Sequence, residues 1–178
     1  MDFRSEIEAL SGQKTNLCFQ CSKCSAGCPL GERMDLKPAQ LMHSIRLGRK
    51  EAVLNSTAIW LCVGCETCSA RCPQGVEPAA AINAARLMAV KQGVPPRVKE
   101  VDIYYRGFVD NMRLNGKIHD ASLAGITQLL TGQLVDNIPL AWELFKRGRV
   151  KPPPLPLRGG RFRKIYRRAL DLEQSSHH

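Results

Sequence analysis

Apolar residues recur every three or four positions along most of the chain, which is the spacing that places them on one face of an α-helix. Over residues 35–47 the shared face consists of Leu41, Met42 and Ile45. Gly48 follows as a stop signal, because glycine adopts the left-handed conformation that commonly ends helices. The pattern therefore predicts a helix over 35–47, with Pro38 tolerated in its first turn.

The same spacing predicts further helices downstream. The clearest is an alanine-rich segment that begins near Pro78 and ends before Gly93. The next helix, within residues 95–116, has an apolar stripe at intervals of four, three and four: Val101, Tyr105, Phe108 and Met112. Shorter helices are predicted over 50–55, 122–130 and 136–146, and a basic helix over 161–174. Strand signals are close to absent, so the fold class is mainly α.

The charge distribution distinguishes the C-terminal part of the chain. The 178 residues carry 26 basic and 16 acidic side chains, a formal net charge of +10. Ten of the cations lie within residues 146–168, where there is no acid. Four prolines at 152, 153, 154 and 156 force an extended, polyproline-like path through this region. Such a tail indicates an acidic partner surface, nucleic acid or an anionic membrane.

The N-terminal residues are acidic and polar, so we expect neither a signal peptide nor a transit peptide. No window approaches eighteen uninterrupted apolar residues, and no transmembrane segment is expected. These features predict a cytoplasmic protein. Stable disulfides are rare in the cytoplasm, so clustered cysteines are better interpreted there as metal ligands.

All eight cysteines fall into two copies of one motif, C-x2-C-x2-C-x3-C-P, 44 residues apart. In two-cluster bacterial ferredoxins the fourth cysteine of each such run ligates the other cluster. The motifs therefore predict two 4Fe–4S clusters with crossed ligands. The first cluster takes Cys18, Cys21, Cys24 and Cys72, and the second takes Cys62, Cys65, Cys68 and Cys28.

Two other interpretations of the cysteines are weaker. Structural zinc sites usually draw two cysteine pairs from well-separated positions, whereas here four cysteines lie within eleven residues. A redox disulfide would need a thiol that acts alone, and none is left over. Small residues inside the motifs, such as Gly27 and Gly64, would let backbone N–H groups approach inorganic sulfur, or they are ordinary turn residues. Lys23 and Arg71 would stabilise anionic clusters or are simply solvated.

The motifs and the helical residues between them resemble the α-helical ferredoxin domain. Residues 48–78 are similar to the C subunit of heterodisulfide reductase, as are Arg86 on the helix after the second motif and the proline-rich stretch "FKRGRVKPPPLP". The resemblance implies an electron relay between a flavoprotein A subunit and a catalytic B subunit with cysteine-rich CCG domains. CCG sequences are absent from this chain, and its internal histidines, His43 and His119, lie far from both motifs, so no catalytic residue is predicted.

The predicted organisation has three parts. Residues 1–95 form the α-helical ferredoxin domain, residues 96–148 form a helical extension, and residues 149–178 form a proline-rich basic tail. We interpret this tail as a partner-binding or disordered arm, which folds on binding an acidic neighbouring subunit.

Two rival functions remain open from the sequence. One is the iron–sulfur relay subunit of another dehydrogenase, of the succinate or glycerol-3-phosphate type. The succinate type adds an N-terminal cluster domain that residues 1–17 cannot contain, and the glycerol-3-phosphate type adds CCG domains. The other is a nucleic-acid-binding iron–sulfur protein, suggested by Phe162 and Tyr166 among the basic residues of the tail. That tail matches no nucleic-acid-binding signature, so nucleic acid is the less favoured partner.

Overall fold

The computed structural model describes residues 2–131, 142–143, 146–148 and 160–175. Within these residues the regular elements are helices, and no strand is present. The α-helices are α1 (Phe3–Ser11), α2 (Lys23–Ala26), α3 (Pro38–Arg46), α4 (Lys50–Leu54), α5 (Ala58–Leu61), α6 (Thr67–Ala70), α7 (Pro78–Lys91), α8 (Lys99–Asn115), α9 (Asp120–Thr131) and α10 (Gly160–Ser175). Single 3-10 turns cover Thr15–Leu17 and Gly31–Arg33. The predicted mainly-α fold class is confirmed.

The chain divides into two compact units, Met1–Lys99 and Glu100–His178. None of the described helices combines the length and apolar content needed to cross a lipid bilayer. The predicted helix over 136–146 and the proline-rich stretch lie mostly outside the described residues. The three-part organisation stays a prediction.

Helix α7 is the centre of the first unit and packs against α1, α3, α4, α5 and α6. Its buried positions are mostly alanines: Ala79, Ala81, Ala84, Ala85 and Ala89. Small side chains let neighbouring helices approach closely, and larger side chains such as Leu41, Met42 and Ile45 of α3 fill the space around them. The alanine-rich pattern thus lets α7 pack at the centre of the unit, where it contacts the second cysteine motif through α6.

Helix α3 begins at Pro38, three residues later than the sequence predicts. Asp35 lies before the helix because its carboxylate accepts hydrogen bonds from the segment that leads into α5. Oδ1 accepts from the Ser56 hydroxyl at 2.5 Å, and Oδ2 accepts from the Thr57 backbone N–H at 2.9 Å. Burial raises the pKa of Asp35, but these hydrogen bonds outweigh it and hold the pKa below its ordinary value.

Helix α1 is absent from the sequence prediction. The Asp2 carboxylate caps it by accepting the Ser5 N–H at 3.0 Å, and Gly12 ends it in the left-handed conformation. Its buried residues, Phe3 and Ile7, belong to the core that surrounds α7. Two apolar residues give too weak a period to predict this helix, and packing against α7 provides the stability.

In the second unit, the predicted apolar stripe on α8 is only half-buried, and Tyr105 is 44% exposed. The buried positions are instead Gly107, Asn111 and Asn115. The Asn111 side chain accepts from His119 N–H at 2.8 Å and donates to His119 O at 3.0 Å. A buried polar network, rather than an apolar stripe, therefore fixes the turn between α8 and α9.

Helix α10 confirms the predicted basic helix near the C-terminus. Its Phe162 and Tyr166 rings stack at 6.1 Å between centroids. The Arg113 guanidinium of α8 lies 4.2 Å from the centroid of the Tyr166 ring. Both predicted stacking residues therefore contact their own unit.

Candidate metal centre

The two cysteine motifs have the same backbone conformation around their second cysteine. Gln20 and Ser22 flank Cys21 with φ angles of 58° and 61°, and Gly64 and Glu66 flank Cys65 with 63° and 59°. Non-glycine residues rarely adopt this left-handed region, and each one costs on the order of 1 kcal/mol. Strain repeated at equivalent positions indicates that both loops are shaped for the same ligand geometry.

Burial changes along each motif in the same order. The third cysteines, Cys24 and Cys68, are 9% and 8% exposed, whereas the second cysteines, Cys21 and Cys65, are exposed. Cys24 and Cys68 share a small core with Ala39 and Ala79, where α2 packs against α6. The motifs therefore meet at their third cysteines and face outward at their second cysteines.

Two cavities lie beside the motifs, and each is lined by four cysteines. The first cavity is lined by Cys18, Cys21 and Cys24 of the first motif and by Cys72 of the second. The second cavity is lined by Cys62, Cys65 and Cys68 of the second motif and by Cys28 of the first. All eight predicted ligands are brought together, in the two crossed groups that the sequence predicts.

The spacing of the donors bears on the kind of metal group that they suit. Among the described residues, no three His, Cys, Asp or Glu side chains lie close enough together to hold a single metal ion. Structural zinc needs four donors at about 2.0–2.3 Å from one ion. A 4Fe–4S cluster instead offers a separate iron to each of four thiolates. Each cavity therefore offers four cysteines, which is the number of thiolates that one 4Fe–4S cluster takes.

The thiols differ in how readily they ionise. Burial raises the pKa of Cys24 and of Cys68, because the thiolate is poorly solvated there. The Thr67 side chain and backbone N–H hydrogen-bond to Cys65 and lower its pKa. A bound metal centre would supply positive charge and so favour the thiolate form of the buried third cysteines.

For each motif, one arginine donates a hydrogen bond to the backbone carbonyl of the first cysteine. Arg46 Nη1, on α3, donates to the Cys18 carbonyl at 2.9 Å. Arg86, on α7, donates from Nη2 to the Cys62 carbonyl and from Nε to the Ile59 carbonyl, each at 2.5 Å. Each guanidinium therefore ties one motif to the helix that follows it.

Sequence reasoning singled out Arg86 only through the family resemblance and missed Arg46. The signal is nevertheless present, since both helices begin with Pro-Ala and place arginine eight residues after the proline: "PAQLMHSIR" and "PAAAINAAR". Alignment of α3 with α7 would have paired Arg46 with Arg86. The duplicated unit thus consists of a cysteine motif, a helix and an anchoring arginine.

Gly27 is explained by packing between the two motifs. A Cβ at this position would lie 2.8 Å from Cδ and from Nη1 of Arg71. Arg71 precedes Cys72 just as Gly27 precedes Cys28. Because Gly27 has no side chain, the first motif leaves space for Arg71 of the second motif.

A family model described as a 4Fe-4S dicluster domain matches residues 17–77. The iron-sulfur C subunit of CoB–CoM heterodisulfide reductase from Methanopyrus kandleri is 40% identical over 88 residues, which are 49% of this chain and 44% of that protein. The C subunit of the H(2):CoB-CoM heterodisulfide,ferredoxin reductase from Methanothermobacter thermautotrophicus is 33% identical over 92 residues, 52% of this chain and 50% of that protein. The chain thus spans about half the length of the curated relatives it matches.

The family-model match covers all eight cysteines that line the two cavities. The predicted resemblance to the C subunit is confirmed, and the assignment of individual cysteines to two clusters stays a prediction. Residues 17–77 therefore match a 4Fe–4S dicluster domain, and about half of the chain is similar to the C subunit of heterodisulfide reductases.

Proposed function

We propose that this chain is an electron-transfer protein that holds two 4Fe–4S clusters with crossed ligands. Cys18, Cys21, Cys24 and Cys72 bind the first cluster, and Cys62, Cys65, Cys68 and Cys28 bind the second. The observation that carries this proposal is the lining of the two cavities, each of which takes its fourth cysteine from the other motif.

The crossing of the fourth cysteines has a mechanical consequence. Each cluster would join both motifs, so neither loop could move away without breaking a ligand bond. Cys24 and Cys68 meet in one small core, which holds the two cavities side by side. When bound, each cluster accepts and releases one electron at a time. The protein contributes fixed spacing and burial, which suit electron transfer from one cavity to the other.

The proposed role is a non-catalytic relay subunit in a heterodisulfide reductase-like complex. Its partners would be a flavoprotein resembling the A subunit and a protein with CCG domains resembling the B subunit. The relatives are named as subunits of heterodisulfide reductases, which supports a place in such an assembly. The expected location of the complex is the cytoplasm.

Native purification under anaerobic conditions tests the proposal. Iron, acid-labile sulfide, zinc and flavin would be assayed on the intact material, and the co-purifying proteins identified. We expect about eight iron atoms per chain, as two clusters require, together with a flavoprotein and a CCG-domain protein. A chain that emerges with zinc in place of iron would contradict the cluster assignment. Iron-loaded chain bound to nucleic acid instead of redox partners would contradict the relay role.

A further inference from the structure

Each cavity is lined in part by one short exposed loop. We call residues 19–23 the first surface loop and residues 63–67 the second surface loop. Each loop contains the exposed second cysteine, Cys21 or Cys65, and contributes to the lining of its cavity. Because each loop exposes a cysteine that also lines the cavity, it offers a short path for an electron that leaves the cavity for another protein.

Each loop also exposes a large apolar side chain directly after the first cysteine. Phe19 is 70% exposed and Val63 is 67% exposed, although each directly follows a half-buried cysteine. A single exposed apolar residue is ordinary on a protein surface. The repetition at equivalent positions, each beside the most accessible ligand, indicates two contact surfaces of similar shape.

The two loops differ in charge. The first surface loop carries Lys23, which is exposed, and the second carries Glu66, which is also exposed. Their equivalents in the other loop, Thr67 and Ser22, are neutral. Neither Lys23 nor Glu66 takes part in the ion pairs found among the described residues.

Two carboxylates near the cavities have partners of their own. Beside the first cavity, Glu77 accepts a hydrogen bond from Gln13 Nε2 at 3.3 Å. Near the second cavity, Glu32 pairs with Lys37 at 2.7 Å. The loops themselves therefore differ in charge, one positive and one negative, at the exposed cysteine of each cavity.

We propose that the two surface loops are docking surfaces for two different redox proteins of opposite surface charge. The first, with Phe19 and Lys23, fits a partner whose apolar contact is bordered by carboxylates. The second, with Val63 and Glu66, fits a partner bordered by lysines or arginines. This inference rests on the proposed relay function and adds the means by which a duplicated domain distinguishes its two ends. Charge complementarity mainly sets encounter rate and excludes the wrong partner.

Stopped-flow oxidation of the cluster-loaded chain tests the proposal with probes of known charge. The chain is first reduced with dithionite and freed of excess reductant. Each ferricyanide anion, or each hexaammineruthenium(III) cation, then takes one electron from one reduced cluster. We expect Lys23→Gln to slow oxidation by ferricyanide about threefold to tenfold at low ionic strength, and Glu66→Gln to slow oxidation by hexaammineruthenium(III) similarly.

The two substitutions act as controls for each other, and Lys50→Gln and Glu51→Gln on α4 provide matched charge changes outside the loops. Each loop substitution should leave the rate with the oppositely charged probe unchanged or faster. The differences should vanish at high salt, where exposed charges are screened. Equal effects on both probes, or effects no larger than those of the α4 variants, would overturn the proposal.

Protein oxidants extend the test to the apolar residues. With an acidic rubredoxin, Phe19→Ser should slow oxidation and Val63→Ser should not, and with basic cytochrome c the order should reverse. Loss of rate with both oxidants in both variants would contradict two separate surfaces. A wild-type chain that binds no clusters would instead refute the proposed function, so the two failures are distinguishable by iron content alone.

Discussion

The first cysteine motif and the second have matching left-handed turns, matching burial and matching arginine anchors, but their immediate neighbours differ. Ser25 Oγ accepts the Ala39 N–H at 2.9 Å and so caps the start of α3. The equivalent Ser69 hydroxyl is buried and does not cap α7; it lies beside the Cys68 thiol and acts to lower the pKa of that thiol. Gly27 in one motif corresponds to Arg71 in the other.

The segments that lead into the two motifs are also held by different residues. Glu8 holds the start of the first motif by accepting the Thr15 N–H at 2.9 Å and the Thr15 hydroxyl at 2.6 Å. Asp35 has the equivalent role for the second motif, with more donors from residues 56–58. The comparison teaches that the cysteine spacing determines the loop shape, whereas the environment of each loop is set by residues outside the motif.

The largest effect should come from removing a crossed ligand. Cys28→Ala and Cys72→Ala should each reduce the iron content from about eight to about four atoms per chain. Because Cys72 lines the first cavity, the electron paramagnetic resonance spectrum left in Cys72→Ala should match that of Cys21→Ala. A spectrum that matches Cys65→Ala instead would show that the ligands are not crossed.

The arginine anchors provide the next test. Arg46→Gln and Arg86→Gln should each lower the free energy of unfolding by about 1.5–3 kcal/mol, since each removes a charge-assisted hydrogen bond to a half-buried carbonyl. The Arg86 variant should lose more, because Arg86 also binds the Ile59 carbonyl. Anaerobic urea unfolding measures both, with Arg49→Gln as the exposed control. An equal loss of unfolding free energy in Arg49→Gln would show that the hydrogen bonds of Arg46 and Arg86 do not stabilise the protein.

The carboxylates of Asp35 and Glu8 should differ in how much they contribute to the free energy of unfolding. Asp35→Asn should cost about 1–3 kcal/mol, because a neutral amide accepts these hydrogen bonds less well. Glu8→Gln, with fewer donors, should cost less. The pKa of Asp35 is lowered on folding, so its contribution is fully present above the unfolded pKa. The difference between wild type and Asp35→Asn should therefore stay constant from pH 7 to about 5 and shrink as the pH falls below about 4.

Chemical unfolding across this pH range measures the contribution of Asp35. A difference that grows as the solution becomes more acidic would contradict the assigned direction of the pKa shift.

The smallest effect should distinguish the two serines. Ser25→Ala removes a helix cap and should destabilise the protein by about 1 kcal/mol. Ser69→Ala removes a buried hydroxyl that caps no helix and interacts only weakly with the Cys68 thiol, so its effect should be smaller and close to zero. Unfolding curves of the two variants, recorded side by side, give the comparison. Similar destabilisation by both would mean that Ser69 has the same capping role.

The sequence alone determined the features that depend on local spacing. Helical periods, glycine stops and prolines at first helical positions predicted α3, α4, α7, α8, α9 and α10, because these signals act within a few residues. The cysteine spacing predicted the iron–sulfur site in the same way, since loop geometry over eleven residues is a local property.

Only the tertiary structure decided what depends on contacts between distant residues. Helix α1 exists because Phe3 and Ile7 pack into the core around α7, and α3 starts late because Asp35 binds residues more than twenty positions away. Arg46 hydrogen-bonds to the carbonyl of Cys18, which lies 28 positions earlier in the sequence. Asn111 is buried where it hydrogen-bonds to His119, in the turn that follows its own helix. Such contacts carry no period and no local motif, because their partners come together only once the helices have packed.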